Sequence, residues 1–106
     1  MTNCLVLGDF NSNKIWDEKP RVCNHSDVVR ELEEIGIRSL YHEFFNEEQG
    51  KEVTPTFFLQ KNLNKKYHID YAFADKSYFG KVRDMSIGST FEWLQVSDHM
   101  PLIIDF

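Results

Sequence analysis

Asn3-Cys4-Leu5-Val6-Leu7-Gly8-Asp9-Phe10-Asn11 is the stretch on which the fold of this chain turns. Residues 3–7 are apolar on both faces of an extended segment, which predicts a strand buried on both sides. Gly8 and the polar Asn11-Ser12-Asn13 then break it. Asp9 and Asn11 are two apart, so on an extended backbone their side chains point the same way. An Asp beside an Asn at a strand end can hold a water or metal ion and hydrogen-bond an anionic oxygen. The same two residues can equally form an Asx turn.

Outward from this strand, Asn24-His25-Ser26-Asp27 offers helix N-cap residues, and Val28, Val29, Leu32 and Ile35 follow at helical spacing. Gly36 stands where a C-terminal glycine belongs, so the pattern predicts one amphipathic helix over residues 26–35. Tyr41-His42-Glu43-Phe44-Phe45 is ambiguous and readable as a short helical turn. Residues 47–52 are polar and loop-like. Thr56-Phe57-Phe58-Leu59-Gln60 reads as a strand, residues 62–66 as a turn and residues 67–74 as the returning strand of a hairpin. Residues 82–87 form a further short strand, Phe91 and Trp93 read as core, and Leu102-Ile103-Ile104-Asp105-Phe106 closes the chain as a buried strand. At least two strands are thus apolar on both faces, yet only one good helix is available to cover a sheet. The expectation is an open sheet face, covered by a second copy or by another segment.

At 106 residues, 42% hydrophobic and 27% charged, the composition is that of one ordinary globular domain. No apolar run approaches the roughly 20 residues a membrane span needs. No signal-peptide pattern opens the chain, so a soluble protein without a membrane span is expected. The net charge of −5 argues against a broad electrostatic footprint for nucleic acid. Lys61, Lys65 and Lys66 read as a solvated loop. Cys4 reads as a small buried residue and Cys23 as a free thiol, with no disulfide framework.

Two further acidic words carry chemistry. In Ser97-Asp98-His99-Met100-Pro101 the adjacent Asp and His face opposite ways on an extended backbone, so one can serve a metal and the other a substrate. Pro101 holds Met100 extended. In His68-Ile69-Asp70-Tyr71 a carboxylate sits mid-strand, where it needs a partner, and an Asp there can orient a histidine. Trp16 reads as half-buried packing or a cleft wall, Thr56 as a strand residue whose hydroxyl could reach the site, and His25 as a capping or surface residue. Glu31, Glu33, Glu34, Glu47 and Glu48 read as solvated. Tyr67, Phe79 and His42 carry no interpretable signal.

Taken together and in this order, Gly8-Asp9-Phe10-Asn11, Pro55-Thr56-Phe57-Phe58, Ile69-Asp70-Tyr71 and Ser97-Asp98-His99-Met100-Pro101-Leu102 resemble the endonuclease/exonuclease/phosphatase superfamily. The resemblance spans residues 5–106. It implies an α/β fold, half of a deoxyribonuclease I-like four-layer sandwich, with one mostly antiparallel or mixed sheet and one to two helices. It implies a Mg²⁺-dependent phosphoester hydrolase, with Mn²⁺ as an alternative ion and water as the nucleophile. Asp9 would orient or deprotonate the water, and Asn11 would hydrogen-bond the scissile phosphate. Asp98 would bind or support the metal, with Asp9 as a further candidate ligand. His99 would contact a phosphate oxygen, and Asp70 would hold its imidazole. Trp16 and Thr56 are secondary substrate-binding candidates.

A complete family domain is roughly twice as long, and this chain corresponds to its C-terminal half. The principal glutamate ligand would come from the other half, so the chain alone is expected to be inactive and to self-associate through the open sheet face. Nucleic acid, phospholipid and small phosphorylated molecules all remain open as substrates. The rival readings are a catalytically silent binding or scaffold module with the same fold, and an inactive truncated piece.

Overall fold

The computed structural model describes residues 3–106. The opening strand, β1 (Leu5–Asp9), forms a three-stranded sheet with β2 (Ile37–Ser39) and β5 (Asp70–Asp75), in the order β1-β5-β2. Both pairings are antiparallel, and the register sets Leu7 opposite Ala72 and Asp9 opposite Asp70. Two shorter antiparallel pairs complete the β structure, β3 (Phe57–Phe58) with β4 (Lys66–Tyr67) and β6 (Asp84–Ile87) with β7 (Leu102–Asp105). The helices are α1 (His25–Glu34), α2 (Leu40–Phe45), α3 (Lys76–Phe79) and α4 (Thr90–Trp93). The α/β class and antiparallel pairing are as expected. The single sheet with one to two helices is corrected to three sheets and four α-helices among the described residues.

β5 organises the core because its alternation serves two faces. Tyr71 and Phe73 pack with Ile37 on one face, closed by Phe10, Cys4, and Val29 and Leu32 of α1. Ala72 and Ala74 lie on the other, where their small side chains admit Leu40 and Tyr41 of α2 and Met85, with Leu102 and Ile104 of β7 against them. The α1 N-terminus is fixed by Asp27, whose carboxylate accepts the Asn24 N–H at 2.9 Å. Ser39 caps α2, accepting the His42 N–H.

The apolar strands are less covered than their composition implies. β1 is an edge strand, with Leu7 61% exposed, and Ile103 of β7 is 49% exposed. Their expected burial on both faces is therefore corrected. An apolar groove of about 710 Å³ runs over this uncovered face, walled by Leu7, Ala72, Trp93, Ile104 and Phe106. Phe91 is 91% exposed and is not core, because α4 is a single turn lying outside the sheet. The hairpin is shorter than expected. After β3 the chain enters a 3₁₀ turn (Leu59–Lys61), and after β4 it leaves its partner to join β1. No helix among the described residues is long and apolar enough to cross a membrane.

Candidate active site at the β1–β5 strand ends

The ladder between β1 and β5 brings Asp9 and Asp70 face to face at its open end. The loop before β7 delivers His99 between them. His99 Nδ1 lies 3.1 and 3.0 Å from the two Asp70 carboxylate oxygens, and Nε2 lies 3.7 Å from Asp9 Oδ2. An ionised carboxylate only accepts, so Nδ1 carries the proton donated to Asp70 and Nε2 faces Asp9 and the groove. The gap of 3.7 Å is too long for a direct hydrogen bond, and a water beside the two can engage both.

The local backbone explains each position. Asn11 adopts the left-handed conformation (φ 49°), and its N–H donates to Asp9 Oδ1 at 2.8 Å. This is the Asx turn, not the extended geometry, and it leaves Asp9 Oδ2 free toward His99. Phe10 N–H donates to Ile69 O at 2.9 Å and continues the pairing past Asp9. Asp70 is the first residue of β5 rather than a mid-strand residue. The Ser97 hydroxyl accepts the His99 N–H at 2.9 Å, and Phe57 bridges His99 with ring centroids 4.8 Å apart.

Ligand atoms of Asp9, Asp70 and His99 lie within 4.8 Å of one another, the one such group among the described residues. Asp98 stays outside this group, and its backbone carbonyl accepts the Phe58 N–H at 2.8 Å. The carboxylate oxygens suit a hard divalent ion such as Mg²⁺, which normally keeps several waters and takes one or two carboxylates. Asn11 is exposed beside Asp9. Trp16 packs against Tyr67 at 5.2 Å and is absent from the groove wall. Thr56 is 0% exposed, and its hydroxyl faces the β5 backbone rather than the groove, so it cannot touch a substrate.

Behind the strand ends lies a polar cluster that sequence reasoning missed. The two Asn13 Nδ2 hydrogens are shared among Glu52 Oε1 at 3.0 Å, His68 O at 2.8 Å and Tyr71 Oη at 3.1 Å. Glu52 Oε2 meets His42 Nε2 at 2.6 Å and accepts the Gly50 N–H at 3.0 Å. Burial alone would raise the Glu52 carboxyl, but hydrogen bonds from His42, Asn13 and backbone amides outweigh it and hold it at about 2. Burial pushes the His68 imidazole below its ordinary range, with the Thr54 carbonyl opposing, and it pushes the Tyr71 phenol up. His25 belongs here too. It is buried, with Nδ1 3.0 Å from Ser12 Oγ and Nε2 2.9 Å from Gln49 Oε1, not a surface cap. The cluster anchors the loop that follows Asp9 and Asn11 to the segment that precedes Asp70. No protein-family model, curated protein or solved structure matches the chain.

Proposed function

We propose that this chain is the catalytic half of a Mg²⁺-dependent phosphoester hydrolase, the C-terminal half of a deoxyribonuclease I-like domain, with water as nucleophile. The observation that carries the reading is Asp9 facing Asp70 across the β1–β5 ladder with His99 held between them. A histidine oriented by one carboxylate and presented to a second is suited to charge development on a phosphoryl oxygen beside an activated water.

In this reading Asp9 Oδ2 accepts from the attacking water and takes up its proton. His99 donates from Nε2 to a non-bridging phosphate oxygen, and Asp70 holds the imidazole at Nδ1 and stabilises its cationic form. The exposed Asn11 amide donates to the scissile phosphate. Asp9, within the group it forms with Asp70 and His99, would hold Mg²⁺ or Mn²⁺, with Asp98 supporting the site from the adjacent loop, and the ion when bound supplies charge neutralisation on the phosphate. Further ligands come from the segment that covers the apolar groove, because no glutamate among the described residues joins Asp9, Asp70 and His99. The exposed Leu7 on the groove wall supports a covered groove, and in the absence of its covering segment a second copy of the chain takes that place.

The substrate is a phosphate ester, with nucleic acid, phospholipid and small phosphorylated molecules as its candidate classes. The test is Mg²⁺-dependent hydrolysis of bis-p-nitrophenyl phosphate by the complete domain. Asp98→Ala and His99→Ala should each remove activity while the far-UV circular dichroism and melting curve stay close to wild type. Retention of most activity in both variants overturns the assignment.

A further inference from the structure

The side chain that fixes the Asp70–His99 pair does not itself touch the groove. We propose that Thr56 is a positioning residue of the site, its hydroxyl aiming Asp70 at His99 while its backbone secures the loop that carries the histidine. This deepens the phosphoester-hydrolase reading and rests on it for the catalytic consequence, though not for the geometry.

The hydroxyl of Thr56 accepts two backbone N–H groups, from Ile69 at 3.0 Å and from Asp70 at 3.2 Å. A hydroxyl oxygen has two acceptor lone pairs, and both are used. The need arises from the path of the chain. β4 ends at Tyr67 and the chain then leaves β3 to pair with β1, and at this crossover the Ile69 and Asp70 N–H groups meet the Thr56 hydroxyl rather than a strand carbonyl. A buried N–H without an acceptor is strongly disfavoured, and the side chain of Thr56 supplies the acceptor there.

The backbone of the same residue reaches both other parts of the site. Thr56 N–H donates to Tyr67 O at 2.9 Å, and Thr56 O accepts from Met100 N–H at 2.8 Å. Phe57 then bridges His99, and Phe58 N–H holds Asp98 O at 2.8 Å. One buried residue therefore sets the relative position of the carboxylate and the imidazole, through the hydroxyl on one side and the carbonyl on the other. Valine matches the shape of threonine and removes the acceptor, whereas serine keeps the acceptor and removes a methyl group.

The experiment compares Thr56→Val and Thr56→Ser with wild type by long-range ¹H–¹⁵N correlation of the His99 ring, at one pH well above imidazole protonation. Wild type and Thr56→Ser should show the Nδ1–H tautomer, and Thr56→Val should shift toward Nε2–H. Against bis-p-nitrophenyl phosphate, Thr56→Val in the complete domain should lower kcat about 10- to 100-fold with KM within about twofold, the scale expected when a catalytic pair is displaced. Thr56→Ser should restore kcat even where its melting temperature falls. Retention of the Nδ1–H tautomer in Thr56→Val overturns the proposal. Loss of that tautomer in Thr56→Ser also overturns it, and this arm decides the matter if the valine variant does not fold. The expected tautomer shift in a complete domain with no metal-dependent hydrolysis upholds the positioning role and rejects the hydrolase reading.

Discussion

Replacing Glu52 with Gln tests whether the polar cluster behind the site holds the fold together. The Glu52 side chain is 4% exposed and accepts from His42 at 2.6 Å, Asn13 at 3.0 Å and Gly50 N–H at 3.0 Å. Gln keeps the shape but removes the charge and turns one acceptor into a donor facing donors. A carboxyl held at about 2 instead of its ordinary 4.5 contributes about 3 kcal/mol at neutral pH. That is a large fraction of the roughly 5–15 kcal/mol that stabilises a domain. The melting temperature should fall by about 10–20 °C.

The pH dependence carries the sharper signature. A depressed folded-state carboxyl gives stability that is complete above its ordinary 4.5 and is lost as pH falls toward about 2. His68 is depressed below its ordinary 6.5, so its contribution is complete above that value and declines as acid charges the unfolded chain. Urea titrations from about pH 7 down to about pH 3 should show wild type losing stability in two stages, the upper from His68 and the lower from Glu52. Glu52→Gln should keep the upper stage and weaken the lower one, to which the depressed carboxyls of Asp17 and Asp75 still contribute. A variant within about 0.5 kcal/mol of wild type at neutral pH, or one whose acid decline parallels wild type, refutes the reasoning.

Other perturbations read the remaining parts. Mn²⁺ added to the ¹⁵N-labelled chain should broaden the amides of Asp9, Asp70 and His99 first; broadening centred instead on Glu31, Glu33 and Glu34 would place the ion on the α1 surface. Gly88→Ala places a Cβ 2.6 Å from Pro101 Cδ and Trp93 Cδ1, and should cost about 1–3 kcal/mol in urea denaturation; a neutral effect would show that this close approach is relaxed. Light scattering at micromolar concentration should find a dimer that Leu7→Arg converts to monomer, and a compact wild-type monomer counts against self-association through the groove.

Much of this arrangement is legible in the residues because its signals are local. The apolar run ending in Gly8-Asp9 and the capped 3.6-residue period of α1 both report the element they form. The carboxylate of Asp70 beside apolar Tyr71-Ala72-Phe73 signals a side chain that needs a partner, but it reads as mid-strand, whereas the chain places it at the start of β5. The partnership of Asp70 with His99 joins positions far apart in sequence, and it was accessible only through the resemblance of the three words to a known family. The polar cluster gives no such signal. Asn13, His42, Glu52 and His68 are scattered through loops and a short helix, and composition cannot separate a buried loop glutamate from a solvated one. Burial of β1 and β7 was misjudged for the opposite reason. Apolar content records what a strand is suited to cover, while the exposed Leu7 and Ile103 show what this chain leaves open.

The most direct test of the central claim is kcat/KM for bis-p-nitrophenyl phosphate with saturating Mg²⁺, comparing the complete domain with its Asp70→Asn variant. Asn preserves the shape of Asp70 but cannot stabilise a charged His99 and no longer favours the Nδ1–H tautomer. A fall of at least about 100-fold is predicted, in line with other carboxylate–imidazole pairs, with the fold intact. Activity within about threefold of wild type would contradict the account.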